Sequence, residues 1–426
     1  MSHRSTHEHR RRDRRHGYCR LTLTVLLAGL AAALLLGGCS SGSGNSGTGN
    51  APTSPSTSAS SPASTPALPA ATTWTAQDAS SAGSPGYLNS VAFVDAAHGW
   101  AVGESNDSNN DTTGSTIIAT SDGGVTWQAQ DASPAGRHAD LEAVHFVDAT
   151  HGWAVGGVSN GIITGNAVVL ATTDGGATWR AQDASAAGHD AVLNSVDFVD
   201  SAHGWAVGVG GGSDYPPVIL ATSDGGASWK AQDASPAGRR VDLNAVHFVD
   251  PAHGWTVGLK MDSNGHAAGG VILVTSDGGV RWNAQDAGTA NGLYGIAFSD
   301  STHGWAVGYY GRGPCILATS DGGTTWEAQD ASSAGRDASL NSVTFVDATH
   351  GWAAGSVWHK SASTDTPLIL ATSDGGATWK AQDASAGGST GMVNEVCFLD
   401  AAHGWAVGTN PTGSGTYTPF ILATNK

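Results

Sequence analysis

Hydrophobic and polar positions recur along this chain with a long, regular period. Runs such as Ile369-Leu370-Ala371-Thr372 and Trp379-Lys380-Ala381-Gln382-Asp383 are short, apolar-rich and β-prone. The Asp374-Gly375-Gly376 between them predicts a tight hairpin, because glycine supplies the positive φ angles that such a turn needs. Near-copies carry turn aspartates at Asp122, Asp174, Asp224, Asp277, Asp321 and Asp374, each with a tryptophan three residues after the second glycine. A second signature, Phe-x-Asp-x-x-His-Gly-Trp, places tryptophans at Trp100, Trp153, Trp205, Trp255, Trp305, Trp352 and Trp405. Its histidines (His98, His151, His203, His253, His303, His350 and His403) lie 47 to 53 residues apart. A fixed period of about fifty residues indicates a solenoid, an array or a propeller. Each unit reads as four strands, in the first unit Leu88–Val94, Trp100–Gly103, Thr116–Thr120 and Thr126–Gln130.

Seven His-Gly-Trp sites and seven Trp-x-Ala-Gln-Asp runs accompany only six complete Asp-Gly-Gly turns. The last run, Phe420-Ile421-Leu422-Ala423-Thr424, is a third strand, and its missing fourth is Thr73-Trp74-Thr75-Ala76-Gln77-Asp78. One unit is therefore completed by both ends of the repeat region. The fold class expected is all-β: a seven-bladed β-propeller of four-stranded blades, closed by pairing of a strand near 72–78 with one near 420–424. Closure removes the two bare strand edges that an open array would leave.

Composition sharpens this picture. Fourteen of the 15 tryptophans occupy the two repeated positions, and Trp358 alone stands outside them. The net charge of −17 hides a split. Residues 1–20 hold seven basic and two acidic residues, which leaves 12 basic against 34 acidic, a balance of −22, for the rest. So acidic a surface repels phosphate backbones, and no basic stripe appears, so no nucleic-acid partner is expected.

The N-terminal part has its own organisation. Basic residues 1–20, an apolar run over 21–36 and Leu36-Gly37-Gly38-Cys39 follow the order of a bacterial signal peptide, in residues 1–38, and the last four residues resemble a lipobox. That resemblance implies lipidation of Cys39 and a membrane partner through the lipid, on the outer side of the bacterial cytoplasmic membrane. Residues 39–70, almost all Ser, Thr, Gly, Pro, Ala and Asn after the cysteine, read as a flexible tether holding the propeller (71–426) about 30 Å from its anchor.

Thr120-Ser121-Asp122-Gly123-Gly124-Val125-Thr126-Trp127 resembles the Asp-box, or BNR repeat, of sialidases, sortilin-type receptors and xyloglucanase-type glycosidases. Its alternation with Phe-x-Asp-x-x-x-Gly-Trp-Ala-Val-Gly more closely resembles the photosystem II stability/assembly factor family of propellers, over roughly residues 72–426. Ser228 and Arg281 depart from the Thr position of the box, and Lys426 stands where the split seventh box calls for Asp. The resemblance implies a β-propeller and a non-catalytic assembly role. Function itself resides in sites grafted onto a fold.

Repeated residues point to structure. An Asp beside two glycines accepts hydrogen bonds from its own turn, and seven copies of one histidine belong to seven turns rather than one site. Candidate binding chemistry lies where the repeats differ, on the face carrying the second-to-third-strand connections and the inter-blade loops. There Arg137-His138, Arg239-Arg240 and Arg336 are suited to a carboxylate, a phosphate or an acidic peptide. Tyr309-Tyr310-x-Arg312 and Trp358-His359-Lys360 set aromatics beside cations, a mixture enriched at protein interfaces. The partner expected is a protein or a glycan. Asp107, Asn109 and Asp111 have the alternating oxygens of a calcium loop without its glycine or its closing glutamate, where Ile118 stands. Cys315 and Cys397 fall on strands two blades apart, too far for a bridge, and read as small core residues. No zinc spacing, phosphate loop or nucleophile elbow appears, so no cofactor is expected.

Two functions compete at this level. One is a lipid-anchored, non-catalytic scaffold. The other is an Asp-box glycosidase, against which the sialidase Phe/Tyr-Arg-Ile-Pro stretch is missing and only one propeller is present.

Overall fold

In a computed structural model the described residues, 73–84, 86–159, 164–309, 311, 313–412 and 415–424, form seven four-stranded antiparallel sheets. Calls on Cys39, on the leader and tether, and on Tyr310 and Arg312 fall outside these residues. Each sheet is a blade. In blade 1 the strands run Gly86–Phe93, Gly99–Asn106, Thr112–Thr120 and Gln128–Ala129 from the inside outwards. Inner strands of successive blades pack side by side around the ring, and that of blade 7 (Met392–Phe398) meets that of blade 1.

The ring closes as a composite blade. Trp74–Gln77 pairs with Tyr417–Thr424, in the register Trp74 to Thr424 and Ala76 to Leu422. Outer strands are shorter than the sequence suggests, two or three residues in the six continuous blades. The expected Thr126–Gln130 strand shrinks to Gln128–Ala129 because Thr126 and Trp127 are spent on the turn.

The core lies between blades, as seven apolar clusters, one per junction. At each junction the His-Gly-Trp indole of one blade stacks on the signature phenylalanine of the next. Trp100 lies on Phe146 with centroids 3.6 Å apart, and Trp405 on Phe93 at the same separation closes the circle. The box tryptophan meets that phenylalanine edge-on, as Trp179 does Phe146 at 5.8 Å. Such pairs add about 0.5–1.5 kcal/mol each to the burial they make. The glycine before each indole is required: a Cβ on Gly152 would stand 2.3 Å from the Phe146 ring.

Polar ties overlie this packing. Trp100 Nε1 and Gln130 Nε2 both donate to the Gly175 carbonyl, and Trp179 Nε1 donates to Gln130 Oε1. At the closure Trp405 Nε1 and Gln77 Nε2 share the Gly123 carbonyl in the same way. Two indoles break the pattern, Trp326 and Trp352, whose Nε1 groups are buried without a partner among the described residues. Trp352 faces the composite blade, where no Gly-Gly turn joins the third strand to the outer one.

Every inner strand also carries a bulge that the repeat pattern does not announce, between Leu88 and Ser90 in blade 1. In five of the blades the bulged residue is an asparagine that turns its side chain to the next blade. Asn89, Asn194, Asn244, Asn341 and Asn394 each donate to a neighbouring inner-strand carbonyl, and Asn394 to Leu88 O at 2.7 Å spans the closure.

Candidate binding face

The two ends of the wheel are chemically unlike. At one end lie the Asp-box turns and the His-Gly-Trp turns, in contact with each other: Gly123 N donates to Ala97 O. Asp122 Oδ1 accepts from Thr126 N and Thr120 Oγ1, and Oδ2 accepts from Thr126 Oγ1. Those donors, the Thr126 amide first, hold its carboxyl below the usual range. Asp224, bonded to the Ser228 hydroxyl and amide, falls to about 2. At Asp277 the amide of Arg281 still donates, while the arginine cannot supply the hydroxyl that Thr126 does. The second signature closes on itself as well, with Asp95 accepting from His98 Nδ1 and from the amides of Ala97 and His98. Repeated aspartates and histidines are thus used up within their own turns.

At the other end the connections vary in length and sequence. The 107–111 turn is a hairpin whose Asp107 Oδ1 accepts from the amides of Asn109 and Asp111, with Asn110 at φ 63°. Asp107 Oδ1 is thus engaged by its own loop, and among the described residues no group of three His, Cys, Asp or Glu side chains is placed to hold an ion. The parallel turn in blade 4 is built identically around Asp262.

The inter-blade loops carry the basic residues to the starts of inner strands, at the rim of the channel. Arg137 lines an open polar groove with Ser105, Thr113 and Ser133. His138, at φ 61°, brings Nδ1 to 2.6 Å from the Thr112 carbonyl oxygen and so ties blade 1 to the loop entering blade 2. Arg240 occupies the matching left-handed position at φ 57°, and its amide donates to Asp214 O. Arg239 meets the Asp214 carboxylate at 3.4 Å, both side chains largely exposed. Arg336 precedes Asp337, whose carbonyl accepts the Trp358 amide. The arginines stand on the approaches to blades 2, 4 and 6, spread around one rim rather than gathered. Tyr309 stacks on Tyr294 of its own blade's inner strand, centroids 5.9 Å apart.

Trp358 lines a partly enclosed pocket. About 190 Å³ in volume, it spans blades 6, 7 and 1. Trp358 and Asp365 come from blade 6, Met392, Pro411 and Tyr417 from blade 7 and Tyr87 from blade 1. Tyr87 and Tyr417 pack ring to ring at 4.8 Å. Asp365, 5% exposed, accepts from Ser356 Oγ at 2.9 Å, and its carbonyl accepts the Gly391 amide. Sequence reasoning missed this set apart from Trp358. The signal available was the inner-strand position just before Leu88 and its counterparts, which reads Tyr87, Asp140, Val192, Asp242, Gly292, Ser339 and Met392 around the ring.

The inner strands hold a second overlooked group. In the residue before each signature phenylalanine, blades 2, 3 and 4 place His145, Asp197 and His247. His145 Nδ1 lies 3.3 Å from Asp197 Oδ1, His247 Nδ1 3.9 Å from Oδ2, and Oδ2 also accepts the Phe248 amide. Burial lowers the pKa of His145 despite the carboxylate beside it. The two imidazoles address different oxygens, which ties three blades together without forming a common ligand pocket. In blade 7 Glu395 accepts the Val91 amide at 2.7 Å, where Ser90, Ser195 and Ser342 do the same for other junctions. Its enclosure raises the carboxyl to about 7, and that of the neighbouring Cys397 thiol to about 12. Cys315 is fully buried, and neither it nor Cys397 forms a disulfide.

Set beside known proteins, this architecture is shared. A YCF48 structure with a bound D1 peptide is 19% identical, with a TM-score of 0.56 over 83% of this chain and 97% of that one. YCF48 from Cyanidioschyzon merolae gives 19% and 0.55, over 84% and 99%. The GH74 xyloglucanase from Xanthomonas campestris gives 17% and 0.53, covering 82% of this chain and 55% of the enzyme. These likenesses establish the fold. No curated protein sequence matches the chain. The sequence pattern of one family, described as photosynthesis system II assembly factor YCF48, matches residues 137–238 and 275–385, together half of the 426 residues. The chain belongs to that family of assembly-factor propellers.

Proposed function

We propose that this chain is a non-catalytic assembly scaffold whose variable-loop face receives an extended segment of a partner protein. Family membership carries the reading, supported by a relative of the same fold solved with a peptide bound. Arg137, Arg239, Arg240 and Arg336 offer planar guanidinium forks around one rim, the geometry that matches carboxylates along an acidic segment. Tyr309 and Trp358 add ring surface between them.

Lipidation at Cys39 and a position outside the cytoplasmic membrane belong to the same proposal, resting on the lipobox-like Leu36-Gly37-Gly38-Cys39. One feature of the fold agrees with it. The described chain enters at Thr73 beside Trp74, which pairs with Thr424 at the Asp-box end. A tether arriving there would join the propeller at its Asp-box end, opposite the variable-loop face.

The test is photo-crosslinking of the full chain in its native membrane, comparing the unaltered protein with the triple variant Arg137→Ala, Arg239→Ala, Arg336→Ala. Yield of the partner adduct should drop at least about tenfold, the scale of losing interface anchors. An unchanged yield rejects this surface. Release of a fluorogenic glucan or sialoside by the pure protein would replace the scaffold reading with a glycosidase.

A further inference from the structure

One strand edge at the variable-loop end is left open where most of its counterparts are closed. In each blade the third strand outruns the outer strand beside it. In blade 1 the outer strand pairs only with Ile118 and Ala119, and the Gln130 amide makes the last bond, to Ile117 O. Strand alternation then turns the amide and carbonyl of Ser115, two residues back, to the same outer side. Four blades carry proline at the equivalent position: Pro217, Pro314, Pro367 and Pro419. Proline has no amide to offer a foreign strand, and so guards such an edge. In blade 4 the equivalent Gly270 amide is covered, since it donates to Ala290 O of the loop entering blade 5. Ser115 and its blade 2 equivalent, Ala167, keep the amide, and neither has a backbone partner on the outer side among the described residues.

Blade 1 adds chemistry that blade 2 lacks. An open groove of about 460 Å³ is lined on one side by the Ser115 edge and on another by the loop that carries Ser133 and Arg137. Arg137 is exposed, and the one carboxylate of the lining, Asp131, is engaged by the Ser133 amide. In blade 2 the equivalent loop reads Gly188-His189-Asp190, without an arginine. Extended chain added to a strand edge gains affinity from main-chain hydrogen bonds and specificity from the side chains it presents. We propose that the third-strand edge of blade 1 at Ser115 binds an extended peptide by adding it to the sheet as a further strand, with an acidic side chain of the peptide set against Arg137. The inference rests on the reading of this face as the receiver of a partner segment, and names how and at which blade that segment is held.

The probe is a photoreactive hexapeptide of alternating threonine and valine with one aspartate, titrated against the full chain in detergent, with adduct yield as the readout. Labelling should saturate below about 5 mM peptide. The same peptide N-methylated at alternate residues cannot bond to a strand edge and should need at least about tenfold more. Ser115→Pro, the substitution that four sister blades already tolerate, should weaken labelling about tenfold as well. Arg137→Ala should weaken it about threefold, and Ala167→Pro, on the blade 2 edge, should leave it unchanged. Equal labelling by the N-methylated peptide overturns the proposal, as does absence of saturation up to about 5 mM or undiminished labelling of Ser115→Pro. The N-methyl comparison is made on the unaltered protein, so it decides the matter even if a variant fails to fold. Failure here is separable from failure of the rim: if the peptide does not bind while the triple arginine variant loses its partner adduct, the edge is dismissed and the rim stands.

Discussion

The Asp-box end and the variable-loop end of this wheel obey opposite rules. At the first, the same aspartate, threonine, glycine and histidine recur around the ring, and each spends its polar atoms on its own turn. At the second, the residues at the starts of the inner strands vary around the ring, and an apolar pocket draws its walls from three blades. Repetition in a closed ring therefore identifies what the chain uses on itself. What it offers to others sits where the repeat lapses.

The largest effect that separates the two ends is on stability. Phe146 is buried under Trp100 and against Trp179, so Phe146→Ala should cost about 3–5 kcal/mol in urea unfolding, by transfer and cavity terms together. Trp358→Ala, at the half-buried pocket, should cost less than about 1 kcal/mol. A loss at Trp358 as large as at Phe146 would erase the distinction.

Next in size is a pH effect at the closure between blades 7 and 1. Glu395 has its carboxyl raised to about 7, above its unfolded value near 4.5. Between these values the folded chain holds the proton more tightly, so stability falls as pH rises through the window and stays lower above it. The swing is on the order of 2 kcal/mol, and Glu395→Gln should flatten unfolding free energies measured from about pH 5 to about pH 8. The turn aspartates act in the opposite sense. Asp224, lowered to about 2, contributes stability that is complete above its unfolded value of 3.8 and lost as pH falls towards 2. The Asp-box end should therefore fail in acid, while the seventh junction loosens as pH rises from about 5 to about 7.

Smaller again are changes within single boxes. Asp374 is half-buried and accepts from Thr378 N, Thr378 Oγ1 and Thr372 Oγ1, and Asp374→Ala should cost about 1–2 kcal/mol by thermal unfolding. Arg281→Thr restores the hydroxyl that every other complete box supplies and should stabilise blade 4 by up to about 0.5 kcal/mol. A destabilised Arg281→Thr would mean that the arginine has work of its own on that face.

These contrasts also explain what the sequence could disclose. Blade number, the composite seventh blade and the pairing of Trp74–Gln77 with the last strand are periodic or complementary features, and counting finds them. The inner-strand bulge escapes because Asn89 and its counterparts look like ordinary strand residues until the next blade's carbonyl is beside them. Short outer strands escape because Thr126-Trp127 suits a strand and a box turn equally, and the Asp122 carboxylate decides for the turn. The pocket is hardest. Tyr87 and Tyr417 lie near opposite ends of the chain, and only ring closure brings their rings to 4.8 Å. No local pattern encodes that meeting, whereas Trp358 was visible because it was the one tryptophan outside the repeat.

The smallest expected change in stability is the sharpest probe of function. Arg239 meets Asp214 at 3.4 Å, with the side chains 85% and 58% exposed. Water screens a pair so open, and ordering two mobile side chains offsets its Coulomb gain, so Arg239→Ala should alter unfolding free energy by less than about 0.5 kcal/mol. Its guanidinium nevertheless stands on the rim assigned to the partner segment, where a carboxylate arriving from a docked chain would shield the pair and strengthen it. A silent unfolding curve with reduced crosslinking yield is the expected outcome. If the curve shifts by more than about 1 kcal/mol, Arg239 belongs with the residues the wheel spends on itself, and the rim loses one of its anchors.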